Sequence, residues 1–66
     1  MKITVNGKEL MLQDNITIKQ LLEKLKIESK VMAVAVNMNI VKQDNWDSFT
    51  PKEGDKIELL HFVGGG

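Results

Sequence analysis

Ile16-Thr17-Ile18-Lys19-Gln20-Leu21-Leu22-Glu23-Lys24-Leu25-Lys26-Ile27 is the one long stretch of this 66-residue chain that reads as a helix. Thr17 has the side-chain oxygen of an N-cap, and Gln20, three residues on, can return the hydrogen bond of a capping box. Ile16 and Leu21 then fall at the N′ and N4 positions of a hydrophobic staple. Ile18, Leu21, Leu22 and Leu25 follow the i, i+3, i+4, i+7 spacing, which gives a single apolar stripe. Lys24 and Lys26 near its end suit the negative pole of the helix. The stripe reads as core, because the segments on either side are strands that need a cover.

N-terminal to the helix, Met1 to Leu12 predicts a hairpin. Ile3 and Val5 alternate with Lys2, Thr4 and Asn6. Asn6-Gly7 tolerates the positive φ values of a type I′ turn. Leu10 and Leu12 return in phase, with Glu9 and Met11 opposite. C-terminal to it, Glu28 to Lys30 is a polar connection, and Val31 to Asn37 (VMAVAVN) predicts a central strand. Asn37 and Asn39 suggest a turn, and Ile40-Val41 a short edge strand. Lys42 to Thr50 is irregular with room for one helical turn, and Trp46 and Phe49 are placed to close the open end of the core. Pro51 to Asp55 is a turn by composition, and Lys56 to Val63 (KIELLHFV) the last strand.

The expectation is an α+β fold: a mixed sheet of four to five strands with one main helix on one face. One helix covers one face. If Val34, Val36, Ile57 and Leu59 point to the helix, then Ala33, Ala35, Leu60 and Phe62 form a patch on the uncovered face, and such patches mark partner sites. With the strand phase inverted, these four residues would be core instead.

Composition narrows the function. Nine lysines balance nine acids, and arginine and cysteine are absent. A neutral chain lacks the basic face of a nucleic-acid binder. Without cysteine there is no disulfide scaffold, Cys zinc site or thiol nucleophile. One histidine does not assemble a metal site, and His61, Ser29 and Ser48 form no nucleophile motif. The longest apolar run, Val31 to Val36, is far short of the ~20 residues that span a bilayer. No membrane partner, no nucleic acid, no catalytic residue and no metal are expected, and the expected location is cytoplasmic.

The chain closes with Gly64-Gly65-Gly66. Glycine costs the most backbone entropy to order, so residues 64–66 are expected to be a flexible tail on a domain of residues 1–63. Three residues extend ~10 Å, enough to carry a carboxylate into a narrow channel of a partner. From the residues alone, a frayed end without function is an equal reading.

With the NG hairpin of MKITVNGKEL, the helix TIKQLLEKL, AVAVNMNIVKQDNW, EGDKIELLHFV and the terminal GGG, the whole chain resembles the ubiquitin-like β-grasp proteins. More narrowly, it resembles the sulfur carriers of the thiamine pathway. Met38 stands where many members carry glycine, and Lys42 where they often carry proline. The molybdopterin synthase small subunit is similar but usually longer, with prolines where His61-Phe62-Val63 stands here.

The resemblance implies that Gly66 is the working residue. An adenylating (ThiF-like) partner would activate its carboxylate with ATP and magnesium. A sulfur-donating enzyme would then convert it to a thiocarboxylate, and a thiazole synthase (ThiG-like) would accept the sulfur. Gly64 and Gly65 would serve as tail, no cofactor would be bound by the chain itself, and the chain would be no enzyme. Two other readings use the same activation chemistry: a protein modifier conjugated to lysines, and a sulfur carrier for molybdopterin synthesis. A plain binding module with an incidental tail is the third.

Overall fold

Strands β1 (Lys2–Val5) and β2 (Lys8–Met11) form the expected hairpin, with Ile3 opposite Leu10 and Thr4 opposite Glu9. Asn6 and Gly7 both take positive φ, 49° and 82°, as a type I′ turn requires. The computed structural model describes residues 1–62; Val63 of the expected last strand and the tail Gly64, Gly65 and Gly66 lie outside the described residues.

Helix α1 spans Ile18–Lys24, shorter at both ends than the expected Ile16 to Ile27. At its start the capping box is complete. Gln20 N–H donates to Thr17 Oγ1 at 3.1 Å, and Thr17 N–H donates to Gln20 Oε1 at 2.9 Å. The next two free donors go to the loop that follows the last hairpin: Ile18 N–H to the Phe49 carbonyl at 2.9 Å and Lys19 N–H to the Trp46 carbonyl at 2.8 Å. Every N–H that a helix start leaves without an internal partner is thereby satisfied. At the other end Lys26 turns left-handed, with φ 60°. Lys26 N–H then bonds Glu23 O and Ile27 N–H bonds Leu22 O, each at 3.0 Å, which is the Schellman arrangement with lysine where glycine is usual. Ile27 therefore packs against the core from outside the helix.

The second hairpin is β3 (Val31–Val36) and β4 (Asn39–Val41), joined at Asn37-Met38 with φ 51° and 71°. Short 3₁₀ turns occupy Glu28–Lys30 and Gln43–Asn45. The last strand, β5, runs Lys56–His61. The strand order is β2-β1-β5-β3-β4, with β1 and β5 parallel and the other pairs antiparallel. The centre of the sheet is thus β5, not Val31 to Asn37, which is an inner strand beside it. β4 is an edge strand, as expected.

Ile3, Val5, Val34, Val36, Ile57 and Leu59 point inward with Ile18, Leu21 and Leu22 of α1, and all are buried. Trp46 closes one end of this core at 6% exposure, its Nε1–H donating to the Val41 carbonyl at 2.8 Å. Phe49 packs beside it, half-buried.

Asparagine side chains complete the ladders on both flanks of β5. On the β1 side, Asn6 N–H bonds Ile57 O at 2.9 Å. The Asn6 amide then continues where the backbone has turned away: Leu59 N–H donates to Oδ1 at 2.7 Å and Nδ2 donates to Leu59 O at 3.4 Å. On the β3 side, Lys56 N–H donates to Asn37 Oδ1 at 2.9 Å, and Asn37 N–H donates to Lys56 O at 2.7 Å. Asn37 Nδ2 also donates to Asp55 Oδ1 at 3.0 Å.

Two predictions follow from this packing. Leu21→Ala empties a fully buried position and should cost about 2–5 kcal/mol in chemical denaturation, while a loss below ~0.5 kcal/mol would place Leu21 at the surface. Asn6→Gly keeps the positive φ but removes the amide, and should cost about 1–2 kcal/mol; an unchanged denaturation midpoint would show that the side chain does not hold β5.

Candidate functional site

With α1 on one face of the sheet, the opposite face has no covering element among the described residues. Register decides what stands there. Ala33 lies opposite Leu60, and Ala35 lies between Glu58 on β5 and Ile40 on β4. The strand phase is the one that puts Val34, Val36, Ile57 and Leu59 inside, so Ala33, Ala35, Leu60 and Phe62 are not core. Leu60 is 54% exposed and Phe62 58%, while the two alanines are half-buried. The alanines are short, so the sheet surface dips between Leu60 and Ile40.

Three residues of this face were not singled out from the sequence. Ile40 is 70% exposed, and a strand of three residues shows too little alternation to announce it. Met32 is 48% exposed because of a β-bulge. Val31 pairs with His61 and Ala33 with Leu60, so β3 spends one extra residue there. Nothing in VMAVAV announces that bulge. Glu58 stands opposite Ala35 and brings a carboxylate to the middle of the apolar row.

The far half of the same face is mainly charged, with one exposed apolar side chain, Met11, opposite Lys2. Lys2 and Glu9 approach to 3.7 Å across β1 and β2, and Lys56 stands opposite Thr4. The apolar half is therefore the half toward the end of β5. There the strand has β3 on one side only: β1 pairs no further than Val5 with Ile57, and beyond it only the Asn6 amide reaches Leu59. Phe62 N–H donates to the Lys30 carbonyl at 2.9 Å, which fixes the backbone at the last described residue. Gly66 lies four residues further on in the sequence.

No catalytic constellation accompanies this face. His61 is exposed beside Phe62, with no side-chain hydrogen bond or ion pair among the described residues. Among those residues no group of His, Asp and Glu is arranged to hold a metal ion, and no helix is long and apolar enough to cross a membrane. What the arrangement can do is seat an apolar partner surface beside the exit of the chain from its central strand.

Comparison with known proteins gives a consistent answer. The ThiS family model matches residues 1–66. A sulfur carrier protein ThiS of Bacillus subtilis is 34% identical over 65 residues, covering 97% of this chain and 98% of its own. A thiazole synthase of Paramagnetospirillum magneticum is 35% identical over 66 residues, which is 100% of this chain but 20% of that protein, so the chain spans about one fifth of this relative. The crystal structure of a thiamine biosynthesis protein (ThiS) from Geobacter metallireducens superposes with a TM-score of 0.83 at 34% identity, covering 100% of both chains. The fold is the ubiquitin-like β-grasp.

Phe62→Asp tests the placement of the face. A carboxylate at a 58%-exposed position should shift stability by no more than about 0.5 kcal/mol in thermal unfolding followed by circular dichroism. Loss of the folded state would mean that Phe62 belongs to the core.

Proposed function

The chain belongs to the ThiS family, the sulfur carriers of thiamine biosynthesis, and from that premise we propose that it carries sulfur as a thiocarboxylate on Gly66. The chain is a carrier and not a catalyst. The observation that supports the chemistry is the pairing of two features: an apolar face at the end of β5 and, four residues beyond Phe62, a glycine.

A carboxylate is an anion at neutral pH and a poor electrophile. In this reading an adenylating partner holds ATP and magnesium. An oxygen of the Gly66 carboxylate attacks the α-phosphorus, pyrophosphate leaves, and an acyl-adenylate forms. The terminal sulfur of a persulfide on the donor enzyme then attacks the acyl carbon, and AMP leaves. A thiol cleaves the remaining S–S bond and is oxidised to a disulfide, which leaves the thiocarboxylate. The chain has no cysteine, so the sulfur it carries sits on the tail. Gly64 and Gly65 contribute the absence of Cβ, which lets the tail enter a narrow channel.

Leu60, Phe62, Ala33 and Ala35 are the docking patch in this proposal. Holding a surface so near the tail makes delivery of the carboxylate effectively intramolecular. The same patch serves the adenylating partner and then the sulfur acceptor, so the two bind in turn. A thiazole synthase is the acceptor that fits, since this whole chain is similar to one fifth of such a protein.

The test is intact-mass analysis after incubation with the activating enzyme, ATP and a sulfur source. The chain should gain the mass difference between one sulfur and one oxygen atom. Removing Gly65 and Gly66 should leave the melting temperature unchanged and abolish adenylation. A truncated chain that is still adenylated at its new end would sink the assignment of Gly66. Conjugates to lysines without a thiocarboxylate would replace the carrier by a modifier.

A further inference from the structure

The docking face has a feature that an apolar contact does not account for. Its groove is lined by Asn6, Ala33, Ala35, Ile40, Glu58 and Leu60. The alanines make the floor and Ile40 and Leu60 rise on either side. Glu58 supplies the one charged group of the groove.

Most acidic side chains near the sheet are already engaged. Glu9 faces Lys2, Asp14 faces the Met1 amine, Glu53 accepts from Lys2 N–H, and Asp55 accepts from Asn37 and from Lys52 N–H. Glu58 has neither an ion pair nor a side-chain hydrogen bond among the described residues. Glu28, Asp44 and Asp47 lie elsewhere, around the groove beside Trp46. A carboxylate in an apolar contact loses its water when the contact closes, and that is costly unless an opposite charge meets it.

We propose that this groove receives an arginine side chain of the adenylating partner, its stem on Ala33 and Ala35 and its guanidinium on Glu58. Arginine fits better than lysine on two grounds. Its planar fork pairs with a carboxylate through two parallel hydrogen bonds, and it is the more weakly hydrated cation. Its aliphatic stem can cover the apolar floor while the charge reaches the carboxylate. The inference rests on the adenylation reading above and adds to it a specificity determinant: Glu58 selects which activating enzyme accepts the chain.

The experiment uses the full chain, its activating enzyme and ATP, with pyrophosphate release as readout. Glu58→Lys should raise the KM for the carrier at least about ten-fold with kcat unchanged, because a like charge then meets the arginine. Glu58→Gln should raise it less, and should flatten the rise of KM with salt expected for the wild-type chain. Glu58 is exposed, so both variants should keep the wild-type melting temperature. Phenylglyoxal labelling mapped by mass spectrometry should find an enzyme arginine shielded by the wild-type chain and labelled in the presence of Glu58→Lys. A KM for Glu58→Lys within about twofold of wild type, or the absence of any shielded arginine, overturns the inference and leaves the adenylation reading intact. A wild-type chain that is not adenylated at all overturns both.

Discussion

Two asparagine amides hold the central strand of this fold where its neighbours stop. β5 arrives last and inserts between β1 and β3, so none of its hydrogen bonds is local. β1 ends at Val5 and β3 at Val36, each in a turn that begins with asparagine. In both turns the asparagine backbone and side chain continue the ladder, Asn6 onto Ile57 and Leu59, Asn37 onto Lys56. A side-chain amide carries the same donor and acceptor as a peptide, so it can stand in for one. Without those pairs, β5 would leave backbone groups unpaired at both ends of its span. The inward direction of Ile57 and Leu59, and the outward direction of Glu58 and Leu60, follow from that fixed register.

Much of this was legible in the residues. The capping box at Thr17 and Gln20, the turn at Asn6-Gly7 and the alternation in KIEL each depend on near neighbours, and each stands as the sequence indicates. The helix end was not legible, because Lys26 takes a left-handed conformation that ordinarily announces itself by glycine or asparagine. The packing of Ile27 onto the core favours that turn, and packing is not written in a local pattern. Nor could the second role of Asn6 be read. A turn residue that also bonds a strand 53 positions away gives no sign of it nearby.

The candidate face divides the same way. Ala33, Ala35, Leu60 and Phe62 were legible through a count of layers: one helix, hence one bare face. Ile40 and Met32 were not, the first because a three-residue strand shows little alternation, the second because the bulge at Val31 and Ala33 shifts the phase. Glu58 was visible as a polar residue of the last strand. Its place in the groove, opposite Ala35, follows only from cross-strand register.

The parallel pairing of β1 with β5 also has a mechanical consequence. Force applied to the start of β1 and to the chain beyond Phe62 pulls the two strands along their length in opposite senses, because parallel strands present their load points at opposite ends. All the bonds between them then bear the load together, in shear. The hairpins β1–β2 and β3–β4 would instead open one bond at a time if pulled at their adjacent ends. β5 is braced in addition by β3 on its other flank. A machine that grips the chain past residue 62 and draws it inward must break both flanks before any other strand yields. Resistance to forced unfolding is set by that step, not by equilibrium stability. The end at which the proposed partners would act is thus an end from which this small domain resists unravelling.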